Sequence, residues 1–113
     1  MNFDDLLTKE YDATNYNCGH FVAEVYQRLT GENISQICQS FNKRPFDEFL
    51  QLIKKRIKLK VAKSPCVAIM KKEGLVPHAG IFLNNRILHI DADGVKFSDL
   101  SFIESFYKVS FYR

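Results

Sequence analysis

Pro77-His78-Ala79-Gly80-Ile81-Phe82-Leu83-Asn84-Asn85-Arg86-Ile87-Leu88-His89-Ile90 is the stretch that decides how this chain folds. Two short runs of β-branched and bulky residues flank a pair of asparagines, and asparagine tolerates the positive φ that a two-residue hairpin turn demands. The pattern predicts strands over Ala79–Leu83 and Arg86–Ile90 joined at Asn84-Asn85. A turn centred there sets residues whose numbers sum to 169 opposite one another. His78 then lies across from Asp91 and one diagonal step from His89, with both histidines on one face of the hairpin.

Working outward, Cys66–Met70 and Tyr107–Tyr112 have the same composition and bring the expected strands to four. Asp93-Gly94 offers a second turn, and Ser98–Ser105 reads as a short helix with Ser101 and Glu104 at capping-box spacing. The pattern differs upstream. Residues 3–9 suit a short helical turn, and the polar run Tyr11–Asn17 favours turns and helix caps. Phe21, Val22, Val25, Tyr26 and Leu29 recur at helical spacing from a start beside Cys18 to an end near Thr30, with Gly31 as the cap. After a break over Ser40–Pro45, Phe46, Phe49, Leu50, Ile53 and Ile57 line one face of a second helix. Helices first and an antiparallel sheet after them predict an α+β domain spanning 1–113, its N-terminal helices packed on the central sheet.

Composition sets the outer limits. At 113 residues, 46% hydrophobic and 26% charged, with ten Phe and five Tyr, the chain can bury a core without staples, and disorder is not the right class. No apolar run is long enough for a membrane span, and the opening MNFDDLLTKEYD carries two Asp where an export signal would be basic. A soluble protein that is not bound to membranes is expected. Lys54, Lys55, Arg56, Lys58, Lys60 and Lys63 concentrate the basic charge. Such a stripe can attract an anionic polymer, but it equally describes a solvated helix face followed by a lysine-guarded strand edge; nucleic acid is not the expected partner. Cys18, Cys38 and Cys66 form no CxxC pair, and the two-residue step from Cys18 to His20 is poor zinc spacing, so neither a disulfide framework, a metal nor another cofactor is expected.

The chemistry that remains is a thiol with an imidazole. A nucleophilic cysteine reacts as thiolate, and a helix N-terminus or a neighbouring histidine lowers its pKa. Cys18 stands where the macrodipole of the first long helix is positive, which predicts a depressed thiol pKa. His20, about 200° further round that helix, points away from Cys18 and suits a surface or structural role. His78 and His89 provide a base and a second polar group to orient it.

These residues resemble the NlpC-type cysteine peptidases, papain-like enzymes that hydrolyse peptidoglycan stem peptides. Asn17-Cys18-Gly19-His20-Phe21-Val22 stands in the place of the family's nucleophile motif, and Lys63–Met70 looks like the stretch leading into its first sheet strand. Pro77–Leu83 is close to its histidine strand, Ile87-Leu88-His89 to the strand with the third polar residue, and Phe106–Arg113 to its closing strand. The order Cys, His, His separates the chain from permuted relatives. Asn17, His20 and Cys66 depart from the usual pattern.

The resemblance implies a papain-like fold with Cys18 as nucleophile, His78 as base and His89 as orienter, Asp91 standing in reserve for that last role. Tyr11 and Tyr16 are its candidates for the tyrosine near the oxyanion site. The substrate it implies is a peptidoglycan peptide, cut near the D-glutamyl bond; the lack of an export signal and of a wall-binding repeat in this sequence makes delivery by a phage tail or secretion system the expectation, with a phage tail, secretion-system or immunity protein as the candidate partner. Deamidation or acyl transfer on a non-wall substrate, and a non-catalytic binding module of the same shape, are the alternatives.

Overall fold

The computed structural model describes residues 4–12, 16–34 and 45–113. Cys38 and most of the break expected over Ser40–Pro45 lie outside them. Three helices come first: α1 (Asp4–Leu7), α2 (Cys18–Thr30) and α3 (Pro45–Lys54). The strands follow as β1 (Lys58–Leu59), β2 (Cys66–Lys71), β3 (His78–Leu83), β4 (Arg86–Asp91) and β5 (Gly94–Asp99), then helix α4 (Leu100–Glu104) and β6 (Lys108–Tyr112). All six strands join one antiparallel sheet in the order β1-β6-β2-β3-β4-β5. The chain is thus an α+β fold, as its pattern predicts.

The hairpin forms as read. Asn84 and Asn85 both take positive φ, 52° and 64°, the combination that turns a chain back with the twist of its strands. Ile81↔Leu88, Phe82↔Ile87 and Leu83↔Arg86 then face one another in the expected register. Gly80 is needed just beyond: a Cβ there would stand 2.5 Å from Ile87 Cγ2 and 2.9 Å from the Leu88 carbonyl oxygen.

The sheet has six strands where four are expected, for two physical reasons. β5 lies at the sheet edge with every residue at least partly exposed, so Gly94–Asp99 lacks an apolar run and resembles a loop in sequence. β1 has only two residues, and it takes the place of the expected last turn of α3: Ile57 lies beyond the helix, 70% exposed, and its carbonyl accepts the Arg113 N–H at 2.8 Å. The short helix after β5 starts at Leu100, so Ser98 is strand and Ser101 lies inside the helix without capping it.

Helix α2 fixes the layers. Its buried stripe, Phe21, Val22, Val25 and Tyr26, packs with Leu6, Phe49 and Ile53 against Val67, Ile69, Ala79, Ile81, Leu88 and Ile90 of the sheet. Fully burying each large side chain contributes about 1.5–3 kcal/mol, so this face supplies most of the core. A smaller cluster of Cys66, Ala68, Met70, Phe82, Ile87 and Ile103 covers the other face. No helix among the described residues is long and apolar enough to cross a membrane.

Candidate functional site

The site is built where α2 begins. Asn17 is the N-cap: its Oδ1 accepts from the N–H groups of Gly19 at 2.8 Å and His20 at 3.3 Å, while the Asn17 N–H donates to His20 Nδ1 at 3.1 Å. This is a capping box with histidine in the position usually held by Glu or Gln, worth about 1 kcal/mol at the cap. His20 has the structural role its spacing suggests. The cap also sets the orientation of Cys18, the first helical residue, which is 6% exposed.

The Cys18 thiol lies against β3, where it meets the backbone N–H of Ala79, and it is also within reach of the N–H groups of Cys18 and Gly19. Those donors favour the thiolate. Burial outweighs them and pushes the thiol up to about 11, opposite to the depressed value expected from the helix end. The reason is that a charge near a helix terminus still has to leave water, and here the desolvation dominates.

Next along β3, His78 opens the strand opposite Met70 and reaches across to β4. Its Nε2 lies 3.0 Å from His89 Nδ1, with the two rings edge to face at 5.1 Å between centroids. His89 is buried, and its Nε2 lies 3.1 Å from Ser98 Oγ on β5. The three side chains make a continuous line across three strands. Its proton order follows from the inventory of each group: if His78 Nε2–H donates to His89 Nδ1, then His89 Nε2–H donates to Ser98, and the lone pair of His78 is on Nδ1. Burial pushes His78 down to about 4, with His89 adding repulsion and Asp91 partly opposing, and burial lowers His89 as well. Both rings rest neutral at pH 7.

The structure therefore brings His78 and His89 into direct contact, and seats Cys18 on the residue next to His78. Among the described residues, no hydrogen bond joins the thiol to the His78 ring. Asp91 does not hold either histidine: it accepts from Lys96 Nζ at 2.7 Å and from the Asp93 N–H at 2.8 Å, and it acts on the rings only through its charge. Tyr16 donates its hydroxyl to Glu24 Oε1 at 2.7 Å, which commits it elsewhere than an oxyanion site, and Tyr11 is exposed. Among the described residues, no group of three His, Cys, Asp or Glu side chains could hold a metal ion.

Ser98 is the polar group that sequence reasoning missed. Asp93-Gly94 marks the turn only approximately: it falls one residue earlier, at Ala92-Asp93, with Gly94 already in β5 opposite Asp91, and that register, not the one a turn at Asp93-Gly94 gives, pairs Ile87 with Ser98, one diagonal step from His89. A scan of protein-family models finds no match to this chain, and a search of curated proteins finds none either.

Proposed function

We propose that this protein is a cysteine hydrolase with a papain-like fold of the NlpC type. Within that class we assign it to peptide bonds of peptidoglycan stem peptides. The observation that carries the reading is the His78–His89–Ser98 line beside a cysteine at the start of a buried helix. A base oriented by a second and third polar group, next to a nucleophile, is the generalised triad.

With Cys18 raised to about 11 and His78 lowered to about 4, the resting pair is neutral thiol and neutral imidazole. Catalysis on this reading runs by general base: a rotation of the Cys18 side chain brings Sγ to His78 Nδ1, which takes the proton as sulfur attacks the carbonyl carbon. His89 and Ser98 hold the ring through its other nitrogen. The Cys18 N–H donates to the developing oxyanion, the leaving amine recovers the proton from His78, and water activated by the same ring releases the acyl group.

The test is incubation of purified sacculi with wild type and Cys18→Ala, followed by mass analysis of the soluble fragments. Release of stem-peptide fragments by wild type alone is the expected result; equal release, or none by either protein, removes the reading. The burial of Cys18 favours a second reading, a binding module that keeps the shape without the reaction. Iodoacetamide labelling separates the two: modification of Cys18 that is slow at pH 6, rises with pH and falls at least tenfold in His89→Ala shows a thiol coupled to the histidine line.

A further inference from the structure

Four lysines converge at the other end of the sheet from β5, where β2, β6, β1 and the end of α3 meet. Lys71 on β2 and Lys108 on β6 are direct cross-strand partners, so their side chains leave the sheet on the same face. Like charges in that position destabilise a sheet. Lys54, at the end of α3, and Lys58, on β1, add two more, and their crowding with Lys108 holds the Lys71 amine below the ordinary lysine range, Lys54 most of all. Among the described residues none of these four lysines is paired with a carboxylate, although Lys9, Arg28, Arg56, Arg86 and Lys96 all are.

Two of the four, Lys58 and Lys108, line a cavity of about 620 Å³ together with Lys60, Glu104, Ser110 and Phe111. It exists because β1 stops at Leu59 and pairs only with Phe111 and Tyr112, which leaves Lys108–Ser110 with a strand partner on the β2 side alone. Lysines that merely guard an edge need not face each other across a ladder. An open groove at a sheet edge, rimmed by unpaired ammonium groups, fits a chain passing through with regularly spaced negative charge.

We propose that the lysine cluster and its groove bind a linear polyanion in which phosphodiesters alternate with short hydroxylated linkers. Lysine ammoniums meet single phosphates as point charges. Glu104 and Ser110 suit the hydroxyls between them, and a carboxylate at that place disfavours an uninterrupted run of phosphate. Nucleic acid fits less well, because single strands are held by aromatic stacking, and the one aromatic ring of the lining, Phe111, is packed edge to face on Phe82 at 5.4 Å. The site does not depend on the roles given to Cys18 and His78.

The test uses the full chain and fluorescently labelled, lipid-free poly(glycerol phosphate), read by anisotropy at 50 and 200 mM NaCl. Four neutralised phosphates predict that affinity falls roughly fifty-fold between the two salt concentrations. Lys71→Gln with Lys108→Gln should weaken binding at least tenfold at the lower salt and cut the salt effect to roughly seven-fold. Lys58→Gln with Lys60→Gln should act in the same direction, and so covers any folding defect of the first pair. Lys55→Gln with Lys63→Gln, outside the cluster, should leave binding within two-fold. No binding at 50 mM salt, an equal loss in the Lys55/Lys63 pair, or tighter binding of a single-stranded oligonucleotide with the same number of phosphates overturns the proposal.

Discussion

The two flanks of the sheet treat polar groups in opposite ways. Across β3, β4 and β5, a buried histidine, His89, lies between a half-buried histidine and a half-buried serine, and each finds a partner in the next. Across β2, β6 and β1, four ammonium groups stay in water, and Lys71 feels the repulsion of the other three. The difference teaches how burial sorts titratable groups: the buried line gives up its charge to satisfy its hydrogen bonds, whereas the exposed cluster keeps its charge and tolerates the repulsion. The first arrangement stabilises the fold at neutral pH; the second opposes it.

The contrast can be broken most severely at Gly80, which lets β4 lie close enough for His89 to meet His78. Gly80→Ala drives a methyl group into Ile87 and the Leu88 carbonyl, and should cost about 3 kcal/mol in denaturant unfolding while separating the two rings. Acid comes next. Because His78 is near 6.5 when unfolded and about 4 when folded, the unfolded chain binds the extra proton between those values. Stability is therefore full above pH 6.5 and falls as pH drops toward 4, by on the order of 2–3 kcal/mol, and His78→Gln should flatten that slope. Ser98→Ala leaves the buried His89 Nε2 without its partner and should cost about 1–2 kcal/mol, with Ser98→Thr recovering most of it. The smallest effect has the opposite sign. Lys71→Gln removes a like-charge cross-strand contact and should raise stability by a few tenths of a kcal/mol at low salt, a gain that fades as salt is added.

How much of this was legible in the sequence follows the range of the forces involved. The hairpin was readable because Asn84 and Asn85 determine their own turn, and register then follows by counting. α2 was readable from its apolar spacing and its Gly31 cap, whose φ is 80°. β5 was not, since its exposed edge position removes the alternation that betrays a strand, and Ser98 was hidden with it. The thiol pKa of Cys18 was misjudged for a similar reason: the helix end is local and visible, while the desolvation that outweighs it belongs to the packed core. The basic run beginning at Lys54 showed only half of the lysine cluster, because Lys71 and Lys108 join it through strand pairing.

One consequence concerns the histidine that closes the cap of α2. Glutamate or glutamine in that position accepts a hydrogen bond at any ordinary pH, but the Nδ1 of His20 can do so only while it lacks a proton. Burial holds His20 below the ordinary histidine range, so the acceptor survives mild acid, and only stronger acidification turns it into a donor facing the Asn17 amide, fraying the very turn from which the sulfur projects. The seat of Cys18 is in this sense acid-labile by construction, and it would loosen before the rest of the helix does.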